Sequence, residues 1–157
     1  MPDMLVKLYE LLPVQPVLEQ QKAQGIDIRR ALPPEKRAVV EWVADKFGNG
    51  WASECDVAFS NNPVSCFIAV KDGQLIGFAC HDATCRDFFG PTGVDPAFRG
   101  KGTGKALLLA CLDAMAAQGY AYAIIGGAGP VDFYAKVAGA TVIDGSVPGI
   151  YKGMLKL

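Results

Sequence analysis

Residues 94–105 read Val-Asp-Pro-Ala-Phe-Arg-Gly-Lys-Gly-Thr-Gly-Lys, and they constrain the fold more than any other stretch of the chain. An apolar run over residues 88–94 leads into them. An amphipathic helical pattern, starting near Gly102 and ending near Gln118, leads out. A strand therefore feeds a glycine-rich loop that opens a helix. Glycines at 100, 102 and 104 remove the Cβ atoms that would hold a ligand away from the backbone. The first N–H groups of a helix have no intrahelical partner and sit at its positive end. Such a turn is a cradle for phosphate, and Arg99, Lys101 and Lys105 surround it with positive charge.

Spacing separates the phosphate motifs that compete here. A Walker A loop ends in Gly-Lys-Ser/Thr, whereas Gly104-Lys105 is followed by Ala106, and the position five before Gly104 is Arg99. A dinucleotide fingerprint, Gly-x-Gly-x-x-Gly, fits Gly100 and Gly102 but meets Lys105 at its third place. What fits is Arg-x-x-Gly-x-Gly at Arg99, Gly102 and Gly104. That pattern, with Val94-Asp95-Pro96 before it and Ala106-Leu107-Leu108 after it, resembles the acyl-CoA loop of the GCN5-related N-acetyltransferases (GNAT family). The bland reading of the loop alone is a structural glycine-rich turn.

Composition excludes several classes. The chain has 157 residues, 51% apolar and 20% charged, which suits a single globular domain over residues 1–157. A net charge of −1 argues against a nucleic-acid binder, which carries a basic surplus. No run approaches the roughly 18 apolar residues of a membrane span. Asp3, Lys7 and Glu10 interrupt what would have to be the apolar core of a signal peptide. Cysteines at 55, 66, 80, 85 and 111 are odd in number and scattered, so a cytoplasmic protein with reduced thiols is expected. Cys80-His81 with Cys85 lacks paired zinc-ligand spacing, so no metal is expected. With His81 the single histidine, a Ser-His-Asp or Cys-His site is disfavoured.

Along the chain, residues 5–12 read as a first strand or arm, and 17–24 as a short helix closed by Gly25. Residues 26–30 alternate as a strand. Pro33-Pro34 opens a helix whose buried stripe is Val39, Val40, Val43 and Phe47, ended by Gly48. Residues 49–62 read as a loop. Strands at 65–70 and 74–80 flank an Asp72-Gly73 hairpin turn. Gly90-Pro91 and Gly93 interrupt the strand 88–94, which implies a bulge or an edge. The long helix carries Leu107, Leu108, Cys111, Leu112 and Met115 on one face. A buried strand follows at 120–126, then a short helix at 131–137 and last strands at 140–143 and 150–157. A β-meander followed by a β-α-β unit predicts an α/β (α+β) mixed sheet, mostly antiparallel, flanked by helices.

One strand beyond the loop, Asp132-Phe133-Tyr134-Ala135-Lys136-Val137-Ala138-Gly139-Ala140 is similar to the second signature of the same family, a short helix with an aromatic-Tyr pair ending at Gly. The resemblance covers residues 65–157 well, and the first sixty by general layout. It implies that the strand ending at Val94 and the strand 120–126 splay apart, with the pantetheine arm of acetyl-CoA between them. It implies amides of Arg99, Gly100, Lys101, Gly102, Thr103 and Gly104 on the pyrophosphate, with Lys101 or Lys105 on an outer phosphate. The reaction implied is direct acetyl transfer to a primary amine, a backbone N–H at or beside Val94 facing the oxyanion and Tyr134 as general acid. Apart from the resemblance, Tyr134 also reads as a core tyrosine hydrogen-bonded to backbone.

An alkylammonium has no lone pair at neutral pH, so the acceptor needs a base. The strand 88–94 holds no acid. Glu54, Asp56, Asp82, Asp87 or a water chain are the candidates, each acid equally readable as a solvated surface group. Residues 126–130 stand where the family often has an Asn before the second helix. Trp51, Phe59, Phe88, Phe89 and Tyr151 are candidate lining of an acceptor pocket, each also readable as core. Near-neutral charge favours a small amine or amino sugar over a polycationic tail. Exposed sheet edges and the amino-terminal strand allow a homodimer. The rival readings are a CoA-binding sensor without turnover on the same fold, and an unrelated α/β binding protein.

Overall fold

A computed structural model describes residues 1–157. Its sheet is built from β1 (Met4–Lys7), β2 (Ile26–Arg30), β3 (Cys66–Lys71), β4 (Gln74–His81), β5 (Phe88–Val94), β6 (Tyr122–Ile125) and β7 (Thr141–Val142). The helices are α1 (Gln15–Ala23), α2 (Lys36–Phe47), α3 (Asn49–Ala58), α4 (Thr103–Ala117) and α5 (Val131–Ala138). The strand order is β2-β3-β4-β5-β6-β1-β7. Every pair is antiparallel except β5 and β6. This is the mixed, mostly antiparallel sheet flanked by helices that the sequence predicts.

Two apolar layers fix the sheet. On one face α4 packs across the central strands, with Leu107, Leu108, Cys111 and Met115 against Ile76, Ala79, Phe89 and Ile125. Ten of the fifteen α4 residues are buried, so this helix is apolar nearly all round and acts as a core element. On the other face Val39 and Val43 of α2, with Ala52 and Cys55 of α3, cover Ile68, Phe78 and Cys80. No helix is long and apolar enough to cross a membrane.

Two expectations are overturned. Residues 49–58 form α3, not a loop. Gly48, at φ +98°, ends α2 and opens α3 directly, and the small residues Ala52, Cys55 and Ala58 recur at helical spacing on the buried side. Residues 150–157 form no strand. They follow a 3-10 turn at Gly149–Tyr151 and lie exposed. From the other end of the chain, β1 lies between β6 and β7 and pairs with both, burying Met4 and Val6.

Close approach between layers requires a glycine at 93. A Cβ there would stand 2.5 to 2.9 Å from three ring carbons of Phe47, and that ring is itself held by Trp51 and Phe78. Gly93→Ala is expected to cost about 1–3 kcal/mol by overpacking, measured by urea unfolding. The same substitution in a Phe47→Leu background is expected to cost clearly less.

Candidate functional site

β5 and β6 form the one parallel pair of the sheet, and they meet only at Phe88 with Ile124 and Phe89 with Ile125. Beyond Phe89 they separate. The register between β4 and β5 shifts there, so that Gly90 and Pro91 stand opposite Cys80 alone, a bulge that bends β5 away. Past the bulge, β5 still follows β4: Asp95 N–H donates to the Ile76 carbonyl at 2.9 Å. In an antiparallel ladder the hydrogen-bonded pairs alternate. Gly93 therefore faces Phe78, while the N–H groups of Thr92 and Val94 point away from β4, into the gap. The Thr92 hydroxyl turns back to the Phe78 carbonyl at 3.1 Å.

The loop beyond Val94 is arranged with its carbonyls inward and its amides outward. Gly100 and Gly102 sit at φ +83° and +81°, the left-handed region that favours glycine. Gly104 is different: a Cβ there would make only an ordinary 3.8 Å contact with Val94, so the fold itself does not require this glycine. None of the backbone N–H groups from Arg99 to Lys105 donates to a protein acceptor. The Lys101 carbonyl accepts from Gln21 Nε2 at 2.8 Å and from Gln24 Nε2 at 3.2 Å, and Thr103 Oγ1 donates to Gln21 Oε1 at 2.8 Å. The fully buried Gln21 amide thus clamps the loop to α1. Arg99 is partly committed to structure, its Nε donating to the Val94 carbonyl at 3.1 Å. Lys101 lies over the Phe98 ring at 5.9 Å, and neither Lys101 nor Lys105 pairs with a carboxylate. Sequence reasoning missed Gln21, because a glutamine inside a polar helix carries no motif.

Tyr134 comes to the mouth of the gap. Its ring packs against Phe89, the last β5 residue paired with β6, at 6.3 Å between centroids, and against Phe133 at 5.3 Å. Burial pushes its phenol up to about 12. Its hydroxyl makes no hydrogen bond within the protein and is not among the sealed polar atoms, unlike a core tyrosine tied to backbone. The glycine-rich segment before α5 is pinned by the amino terminus. Gly127 N–H donates to Asp3 Oδ1 at 2.8 Å and Ala128 N–H to the Pro2 carbonyl at 2.7 Å.

The acids separate. Asp56 pairs with Lys36 at 3.0 Å on the surface. Asp82 is committed to structure: Oδ2 lies 2.7 Å from His81 Nδ1, and Oδ1 accepts from Asp87 N–H at 2.7 Å and Tyr120 hydroxyl at 3.0 Å. Burial, then the nearby Asp82, pushes the Asp87 carboxyl up to about 6. Glu54 Oε1 accepts from Thr84 Oγ1 at 2.7 Å and Tyr151 hydroxyl at 3.2 Å. One turn before Glu54 on α3 stands the partly exposed Trp51. Of the candidate aromatics, Phe89 is core beneath α4 and Phe59 packs on the α2–α3 layer, whereas Trp51, Phe88 and Tyr151 keep exposed surface. Cys80 and His81 point to opposite faces, so the Cys80-His81-Cys85 spacing gathers nothing. The three thiols that do meet are Cys55, Cys66 and Cys80, all buried, within 4.8 Å of one another, a grouping their spacing along the chain could not signal.

The GNAT acetyltransferase family description matches residues 36–140. Comparison with curated protein sequences gives no significant match. Among solved structures, the glucosamine N-acetyltransferase region of a fungal multi-domain β-N-acetylglucosaminidase superposes with a TM-score of 0.73 at 14% identity, over 90% of this chain and 19% of that one. A GCN5-related N-acetyltransferase from Sphaerobacter thermophilus gives 0.65 at 21% identity, over 90% of this chain and 48% of that one. A GNAT family N-acetyltransferase from Escherichia coli, solved with CoA, gives 0.50 at 21% identity, over 60% and 58%. This chain thus spans about a fifth of the first and about half of the second. The match over residues 36–140, carried by a sheet that splays beside an amide-lined glycine turn, places the chain in the GNAT family of acetyltransferases.

Proposed function

We propose that the chain transfers the acetyl group of acetyl-CoA directly to the primary amine of a small acceptor. The observation that carries this reading is the run of unclaimed N–H groups from Arg99 to Lys105 at the end of an opened parallel strand pair. Preorganised amides at a helix start favour a diphosphate. The unpaired backbone edge at Thr92 and Val94 suits the amide-bearing pantetheine arm. In this reading Arg99, Gly100, Lys101, Gly102, Thr103, Gly104 and Lys105 hold the diphosphate, and Val94 with Thr92 holds the arm and the acetyl oxygen. The fungal neighbour acts on glucosamine and the Escherichia coli neighbour binds CoA, which agrees in kind with an amino-sugar-like acceptor here.

The chemistry follows from the groups in place. The amine nitrogen attacks the thioester carbon, and the carbonyl oxygen becomes an oxyanion facing the Thr92 or Val94 N–H. Such a donor is worth about 3 kcal/mol in comparable sites. Collapse breaks the C–S bond, and the leaving sulfur takes a proton from Tyr134. The proton that the ammonium sheds before attack goes to Glu54, and the proton left on the nitrogen after attack restores Tyr134, each directly or through water. Glu54 stands on the α2–α3 side with Trp51 and Tyr151, and these three with Phe88 are the proposed acceptor wall. A CoA-binding module without turnover is the second reading, favoured by the two hydroxyl donors already on Glu54 Oε1. Release of free thiol from acetyl-CoA across an amine panel separates the two.

Tyr134→Phe is expected to lower kcat by about 10²-fold while the KM for acetyl-CoA holds within about twofold; steady-state kinetics showing unchanged kcat remove Tyr134 from the reaction. For Glu54→Gln, kcat/KM for the amine is expected to fall about tenfold or more at pH 7 and to recover partly at pH 9, where more of the amine is neutral. If the loss is absent at pH 7, the base is Asp87 or water. Gln21→Leu removes the clamp without touching substrate, and is expected to raise the KM for acetyl-CoA about tenfold with little change in kcat. A matching loss in kcat would show that Gln21 acts on the transition state as well.

A further inference from the structure

The far end of α4 carries a second polar site, independent of the acetyl-CoA reading. Fifteen residues of helix, about 22 Å, separate the glycine loop from the turn after Ala117. There the ends of β2, β3 and β4 and the turn after α4 enclose a cavity of about 370 Å³ whose walls include Arg30, Ser65, His81, Arg86, Gln118 and Tyr120. Its lining is almost wholly polar. The Arg30 guanidinium lies 4.8 Å from the Phe67 ring and spends Nη1 on the Val64 carbonyl at 2.7 Å. Neither it nor Arg86 pairs with a carboxylate.

Two buried side-chain atoms in this protein lack any hydrogen-bond partner, His81 Nε2 and Asp87 Oδ1, and of the two residues His81 lines the cavity. His81 is 1% exposed. Its Nδ1 faces the Asp82 carboxylate, an acceptor, so the proton sits on Nδ1 and Nε2 presents a lone pair. Burial lowers the imidazole pKa, which favours that neutral form. An orphaned buried polar atom is costly, and the wall of this cavity keeps one. Asp82 also lines the cavity, and His81, Asp87 and Tyr120 take three of its carboxylate's acceptor sites. The turn also holds Asp82 and Asp87 at φ +50° and +66°, a strain of the kind stored at ligand sites.

We propose that this cavity binds a small molecule with an anionic group and its own O–H or N–H donor: the anionic group against Arg30 and Arg86, the donor toward His81 Nε2. A hydrogen-phosphate group and an α-amino acid share this chemistry, and matched pairs of probes distinguish them. Phosphate bears an O–H that sulfate lacks at neutral pH, and glycine bears an ammonium that acetate lacks. Calorimetric titration is done on the full chain with CoA present in excess, so that the glycine loop is filled. The donor-bearing member of one pair is expected to bind at least tenfold more tightly than its twin. Arg86→Ala, an exposed substitution, is expected to weaken that binding tenfold or more. His81→Phe is expected to abolish the preference within the pair while the chain stays folded by circular dichroism; should it unfold, His81→Gln, which keeps an acceptor, is expected to retain part of the preference. No binding by any probe, equal binding within both pairs, or binding indifferent to Arg86 overturns the site. A chain that fails to bind CoA yet shows the pair preference leaves this site standing and removes the acetyl-CoA reading instead.

Discussion

The structure depends on a sheet that stops pairing partway along one strand. Backbone N–H and C=O groups are obligatory hydrogen bonders, and nearly all that are buried find partners. β5 satisfies this rule toward β4 along its whole useful length but toward β6 only at Phe88 and Phe89. The bulge at Gly90-Pro91 is what turns the strand, and proline suits it because a bulge residue has no ladder bond to lose. The gap is thereby a polar slot between two apolar layers. It stays open because each wall is anchored elsewhere, β5 by β4 and α4, β6 by β1.

That anchoring assigns a role to the amino terminus. β1 fills the place between β6 and β7, and the residues just before it reach the turn that precedes α5. Asp3 is the junction. Its carboxylate takes the Gly127 N–H, its carbonyl takes the Ile143 N–H, and its own N–H goes to Ser146 Oγ. One residue thus ties together the strand that walls the gap, the helix that carries Tyr134, and the segment leading to the carboxyl end. The last eight residues, outside the sheet, contribute through Tyr151, whose hydroxyl reaches Glu54.

What was legible in the sequence is what is local. Positive-φ glycines and the charge around them mark the loop at 99–105, and the Asp72-Gly73 turn marks its hairpin, because each constraint acts within a few residues. The layer order of β3, β4, β5, α4 and β6 follows from periodicity alone. The rest depends on distance along the chain. Nothing in residues 4–7 says that they pair with residues 122–125 rather than ending as an arm. α3 was hidden because Asn49-Gly50 reads as a turn and its buried residues are small. Gln21 and the meeting of Cys55, Cys66 and Cys80 are tertiary facts, invisible until separate elements are packed. The same holds for Gly93, whose need is set by the Phe47 ring and not by its own backbone.

In the reaction proposed above, the proton balance at Tyr134 is the sharpest constraint. A phenol pushed up to about 12 by burial is a poor acid toward an ordinary thiolate in water. The mismatch closes only when the leaving sulfur is desolvated by the same surroundings. Burial acts on thiols in that direction within this protein, raising Cys80 and Cys111. A sulfur expelled against Phe89 and Tyr134 has the same apolar wall on one side, so its basicity rises as the phenol's acidity falls. The burial that weakens Tyr134 as an acid in water therefore matches it to a thiolate in the gap, provided water is excluded when the bond breaks. Tyr134 gains nothing from a lower pKa, because a phenol ionised at neutral pH would have no proton to give and would repel the departing charge.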